Sequence, residues 1–426
     1  MRVLKFLFLG VVVAFVLAAC GDSEETQSKE GVIELTLWND WTEDRPENTV
    51  YKDIIEKFNA EHDDIEIISE STPHDDYEIK LRTQAAGNQL PDLMRVWPGT
   101  RIEPFVEGDA LLPLNPIIDH WEGTIPEEIL QDYALGENYY AIPSNVSETS
   151  LIFYNKQLVS EAGFDEFPST YKELKELVDI LNSDNVTPIS VGNKAIWPLQ
   201  SVFISGIADR YTGSDFLHNV LNEDGTFENE QFINALTVID DLTKSGAFNE
   251  DMNTIDEAQS RNEFIKGSTA MHFAGSWAIG PIMDSVDDLE NIGVAPFPSF
   301  EGGEGDASKI SGVAGGGIAV NSQLSEEEQE AAFEFLKFYY SEELFQELVK
   351  ANIIVPADVE MDDSIPEVFK EANSLAQNGL SPVYDATLSP ELTDIINNGL
   401  QSITIGDTTP EELAAEMQAE LEKANE

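Results

Sequence analysis

Apolar residues fall first on alternate positions along the chain and then at helical spacing. Ile33, Leu35 and Leu37 alternate with Glu34 and Thr36, the signature of a half-buried strand. Tyr51, Ile54, Ile55 and Phe58 follow as a helical stripe. Asp64-Ile65-Glu66-Ile67-Ile68 predicts a second strand and Tyr77 to Ala86 a second helix, and Pro91-Asp92-Leu93-Met94-Arg95-Val96 leads into a third strand. Strands separated by helices of this length indicate a parallel, doubly wound α/β sheet. Ala141-Ile142-Pro143 and Ser150 to Tyr154 then bracket a polar stretch, Ser144 to Thr149, and long helices come after it. Thr170 with Glu173 and Ser325 with Glu328 spell capping boxes ahead of apolar stripes. Thr409, Pro410 and Glu412 open the last helix, with Pro at the first turn where its missing N–H costs least. Gly302 to Gly317 is glycine-rich and reads as loop before a strand at Ile318 to Val320. There is no internal repeat.

One segment fits neither period. Val3 to Ala19 is apolar throughout, is flanked by Arg2 and Lys5, and closes on Leu17-Ala18-Ala19-Cys20. Its shortness and small closing residues indicate a secretory signal rather than a membrane span. Cys20, the only cysteine, stands where a bacterial lipoprotein is acylated, as by palmitate, and cleaved. Residues 1–19 thus read as a lipoprotein signal peptide, and residues 20–30 as lipid anchor and flexible tether. A single cysteine, taken by lipid, leaves none for an internal disulfide.

Charge narrows the partners. Asp and Glu number 81 against 23 Lys and Arg, a formal −58, so nucleic acid and anionic lipid are repelled. The acids run from Glu24 to Glu426 rather than gathering in a tail, as on a surface solvated in saline or alkaline surroundings. Signals for catalysis are missing. No Gly-x-Ser-x-Gly elbow occurs, and none of the five histidines (His62, His74, His120, His218, His272) has metal-ligand spacing. Asn222-Glu223-Asp224-Gly225 and Asp287-Asp288 lack the calcium-loop pattern. Gly312 to Gly317 lacks the Lys-Ser/Thr of a phosphate loop, and its glycines, Gly316 among them, suit close backbone approach to a ligand or a neighbouring domain. No cofactor is implied.

Tryptophans carry the positive signal. Trp41 follows the first strand in Trp38-Asn39-Asp40-Trp41, Trp97 ends the third, Trp197 lies in a polar loop from Lys194 to Gln200, and Trp277 sits in Gly275-Ser276-Trp277-Ala278. Loops at the carboxyl ends of strands form the ligand crevice of a doubly wound sheet. A sugar ring offers C–H faces to aromatic platforms and edge hydroxyls to planar polar side chains. Asn39, Asp40, Asn145, Glu148 and Gln200 are the polar groups nearest these platforms; for each tryptophan the competing role is core filling.

Leu35-Thr36-Leu37-Trp38-Asn39-Asp40, Pro91-Asp92-Leu93, Ala141-Ile142-Pro143 with Phe153-Tyr154-Asn155-Lys156, Phe264 to Met271, Gly275-Ser276-Trp277-Ala278 and Gly316-Gly317-Ile318-Ala319-Val320 occur in order behind the lipobox. Together they resemble the family 1 extracellular solute-binding proteins, the sugar receptors of ABC importers that include the maltose-binding proteins. The resemblance implies a two-lobed periplasmic-binding-protein-like fold of type II, each lobe a doubly wound sheet flanked by helices, joined by a hinge. It places 31–145 and 276–324 in the N-terminal lobe and 146–275 and 325–426 in the other, with crossings near Asn145, Gly275 and Asn321. It makes Trp277 the main stacking platform, Asp40 a hydroxyl acceptor, Trp97 a second contact and Glu148 a polar ligand contact in a crossing. The implied protein is no enzyme. It is a monomer, lipid-anchored on the extracellular face of the membrane of a Gram-positive cell, which captures an oligosaccharide and delivers it to an ABC permease. The alternatives are a same-fold receptor for a polyamine, iron or a phosphate ester, a lipid-anchored glycoside hydrolase, and, disfavoured by the lack of repeats, an adhesin.

Overall fold

The computed structural model describes residues 31–357, 359, 365–376 and 378–425. The signal segment, Cys20 and the tether lie outside the described residues. Strand β1 (Ile33–Asn39) runs parallel to β2 (Ile65–Ser71), with Ile33 opposite Ile65 and Asn39 opposite Ser71. Strand β3 (Leu93–Val96) takes the other edge of β1, also in parallel. Further on come β4 (Ala141–Pro143), β5 (Val146–Glu148), β6 (Leu151–Asn155) and β7 (Thr187–Ser190). They are followed by β8 (Thr269–Ala274), β9 (Ile292–Pro296), β10 (Ile310–Ala314), β11 (Gly317–Val320) and β12 (Leu380–Ser381). The first sheet has the order β2-β1-β3-β11-β4, the second β9-β6-β8-β7, and β12-β10-β5 make a third. Neither large sheet is wholly parallel: β11 is antiparallel to both its neighbours, and so is β6.

The helices that matter below are α1 (Pro46–Glu61), α2 (His74–Ala86), α3 (Tyr171–Ser183) and α4 (Glu257–Ile265). Later in the chain lie α5 (Glu326–Tyr339), α6 (Glu342–Lys350), α7 (Pro390–Ile405) and α8 (Pro410–Ala424). Both capping boxes read from sequence are formed, at Thr170 and Ser325, and the helix start expected at Thr409 carries one as well. No helix of the described residues is long and apolar enough to cross a membrane.

Burial explains the layering. Leu35 and Leu37 of β1, on one face by strand alternation, meet Ile54, Ile55 and Phe58 of α1 and Phe335 and Leu336 of α5 in one core. Phe58 and Phe335 pack edge to face at 5.2 Å. Tyr77 and Leu81 of α2 cover the opposite face with Met94, Val96 and Tyr133. The second sheet is covered in the same way, by a core that includes Leu177, Phe203, Phe232 and Leu400 and another around Val146, Leu151, Ile282 and Phe369.

Three expectations are corrected. The glycine-rich stretch holds a strand, β10, because Gly312, Val313 and Ala314 pair with the crossing strand β5, Gly312 facing Glu148 and Ala314 facing Val146, while Ile310 pairs with Leu380 of β12. Residues 276–296 belong with the second sheet, where β9 pairs with β6. Helices α5 and α6, expected in the second lobe, bury their apolar faces in the first core. The chain returns to the first lobe through β10, and β11 then inserts between β3 and β4.

Candidate ligand-binding cleft

A cavity of about 360 Å³ opens between the two large sheets, beside the crossing strands. Its first-lobe wall is made by the loop after β1 (Asp40, Arg45), by Tyr51 of α1, by His74 at the start of α2, and by Arg95 and Trp97 at the end of β3. Its second-lobe wall is made by Trp197, Ser201, Glu257, Trp277 and the first half of α7. Indoles from both lobes converge. Trp197 and Trp277 meet edge to face at 5.7 Å, and His74 bridges to Trp97 at 5.1 Å and to Trp197 at 6.0 Å.

The backbone is shaped for these rings. A Cβ on Gly275 would lie 2.1 Å from the Trp277 ring and 2.4 Å from the Glu148 carbonyl, so only glycine lets the indole fold back against the crossing strand. Ile196 holds φ +61°, a costly conformation for a β-branched residue, in the tight turn that presents Trp197. Directly after it, Leu199–Ile204 forms a π-helical turn, a local distortion often found at functional sites.

Ion pairs dominate the first wall. Asp40 Oδ1 accepts from Arg95 Nη1 at 2.5 Å, and Oδ2 from His74 Nδ1 at 2.7 Å. Burial pushes the Asp40 carboxyl up, but Arg95 and His74 outweigh it and hold the group well below the usual carboxylate range. Burial raises Tyr51 to about 12. Along one rim, Arg261 of α4 reaches Glu43 of the first lobe at 3.0 Å and Glu257 at 2.7 Å, while Arg45 pairs with Glu43 at 2.8 Å. On the other rim, Arg101 pairs with Asp385 of the second lobe at 3.6 Å, and Thr100 donates to the Asp385 carbonyl at 3.3 Å. The lobes therefore touch along both edges of the cavity.

Of the residues singled out from sequence, Asp40, Trp97, Asn145, Trp197 and Trp277 line the cavity together. Five do not. Asn39 is wholly buried and ties β1 to β2, accepting from Ser71 Oγ at 2.6 Å and donating to Ser69 Oγ at 2.8 Å. Trp41 is 2% exposed and fills the first core 4.8 Å from Tyr51, so core filling wins there. Gln200 is buried behind Ser201 in the π-helical turn rather than in a loop. Glu148 points away from the cleft, as strand alternation requires once its neighbour Ser147 faces in. Gly316 makes room instead of contact: a Cβ there would sit 2.2 Å from Arg95 Nε. Arg45, His74, Arg95, Glu257 and the α7 residues escaped the sequence reading. Arg95 left a trace, as the lone charge in an apolar strand; the others left none.

A two-lobed α/β molecule that holds such a cavity at its crossing strands has the architecture of a receptor for a small solute. The sequence profile of the bacterial extracellular solute-binding proteins matches residues 43–344, and the chain belongs to that family, whose members are transport receptors and not enzymes. It is 27% identical over 282 residues to the maltotriose-binding protein of Pyrococcus abyssi, an alignment spanning 64% of this chain and only 55% of that protein. It is also 27% identical over 397 residues to the arabinooligosaccharide-binding protein of Halalkalibacterium halodurans, spanning 89% and 82%. A solved chitin oligosaccharide binding protein shares the fold at a TM-score of 0.86, with 23% identity over 92% of this chain and 99% of that one.

Proposed function

We propose that this protein captures an oligosaccharide in the interlobe cleft, closes on it, and delivers it to an ABC permease while lipid on Cys20 keeps it at the outer face of the membrane. The observation that carries the reading is the meeting of Trp97, Trp197 and Trp277, from both lobes, in one cavity with polar groups between them. Indole faces suit the C–H faces of sugar rings, and closure excludes water from the hydroxyl contacts. The names of the relatives point the same way. A receptor for a polyamine is less well supported, because Asp40, Glu43 and Glu257 are already bound to guanidinium groups. Among the described residues no cluster of three or more His, Cys, Asp or Glu is arranged to hold a metal ion such as iron.

Calorimetric titration of the purified protein with maltotriose, arabinotriose, chitotriose and xylotriose tests this. Wild type is expected to bind at least one trisaccharide, and Trp277→Ala to weaken every sugar bound by about tenfold or more. Unchanged affinity in the variant sinks the role of Trp277; silence of wild type toward all four sinks the carbohydrate reading.

A further inference from the structure

The two walls of the cleft differ in how far their polar groups are already satisfied. On the first lobe, Asp40 is held by Arg95 and His74, Arg45 by Glu43, and the Tyr51 hydroxyl by Ser144 at 3.2 Å, while Glu47 pairs with Arg45 through Oε1 and leaves Oε2 without a partner. On the second lobe, Trp277 Nε1, Thr393 Oγ1 and Asn397 Oδ1 are buried without a hydrogen-bond partner. Thr393 and Asn397 both line the cavity, and Asn397 is only 7% exposed. They stand four residues apart on α7 and so share one face of it, and α7 packs on the π-helical turn that brings Ser201 to the same wall.

We infer that α7 reads the sugar: Asn397, with Thr393 beside it, is the specificity-determining contact for ring hydroxyls of a residue stacked on Trp277. This rests on the carbohydrate reading above. A carboxamide donates and accepts at once, so Asn397 can accept a hydrogen bond from one hydroxyl of a vicinal pair and donate one to the next, while the Thr393 hydroxyl turns to suit either role. The first wall, its charged side chains paired with one another, supplies shape and a fixed field; the second supplies the neutral open valences. A sugar with a hydroxyl wrongly placed leaves the buried Asn397 oxygen unmatched, and that is how a site rejects an epimer. Helix α7 lies beyond residue 344, where the family match ends.

The experiment titrates wild type, Asn397→Ala, Asn397→Asp and Thr393→Val with the same four trisaccharides, and monitors folding by circular dichroism and thermal melting. For the sugar that wild type prefers, Asn397→Ala is expected to raise Kd about 10- to 100-fold, and to compress the preference over the other sugars. Trp277→Ala, by contrast, lowers all affinities by a similar factor. Asn397→Asp keeps the volume and removes the donors, so it carries the test should the alanine variant not fold. If wild type binds and the folded variants bind within threefold of it with the same order of sugars, the assignment of α7 is overturned while the carbohydrate reading stands. If wild type binds none of the four, both fall.

Discussion

Two buried carboxyls show how opposite environments set opposite roles. Asp40 is charged because Arg95 and His74 compensate its burial, and it braces the first wall of the cleft. Glu148, in the crossing strand, has no hydrogen-bond partner for either oxygen, and burial raises it from 4.5 to about 8. The folded chain therefore holds this proton more tightly than the unfolded chain does, and stability is lost as the pH rises from about 4.5 through 8. Each unit of such a difference is worth about 1.4 kcal/mol. Glu148→Gln removes the ionisation, so its Tm is expected to gain on wild type steadily between pH 5 and pH 8.5. Melts at fixed salt check this, and parallel curves for the two proteins would show that the carboxyl is solvated after all.

At the scale of elements, local signals were legible where the forces are local. The Thr170–Glu173 box starts α3 as its sequence predicts, with Glu173 N–H donating to Thr170 Oγ1 at 3.3 Å. None of the α3 residues lines the cavity. Thr170→Ala is thus expected to cost about 1 kcal/mol of stability and to leave sugar affinity unchanged, which chemical unfolding and titration together measure. Period and caps failed where the partner of a segment decides its state. Strand β10 hides in a glycine-rich run because its hydrogen bonds go to β5, more than 150 residues earlier. The π-helical turn at Leu199–Ile204 has no sequence period of its own, and it packs against α7, nearly 200 residues later.

On the scale of the whole molecule, the cleft is bridged by contacts between lobes at both rims. Arg261, 5% exposed, bridges Glu43 of the first lobe and Glu257 beside it on α4. Removing that cation leaves Arg45 as the one guanidinium between Glu43 and Glu257, and the lost bridge is a cost borne by the form in which the lobes touch. Arg261→Gln is expected to open the unliganded protein, seen as a larger radius of gyration in small-angle scattering, and to weaken sugar binding about tenfold, or 1.4 kcal/mol. An unchanged radius and Kd would show that the rim contacts do not govern closure.

By itself the sequence determined the alternation of strands and helices, the capped helix starts, the acidic surface and the tryptophans available for a ligand, because each depends on residues near one another in the chain or on composition. It also carried the family motifs, and with them the two-lobed fold. Which tryptophans face the cleft, which lobe receives 276–296 and 326–350, and why Asn39, Trp41, Glu148 and Gln200 are buried structure rather than contact were decided by tertiary packing. A side chain's direction depends on what covers the other face of its strand or helix, and here that cover comes from residues hundreds of positions away. Trp41 and Trp277 look alike in sequence; a core closes over one, and a cleft opens in front of the other.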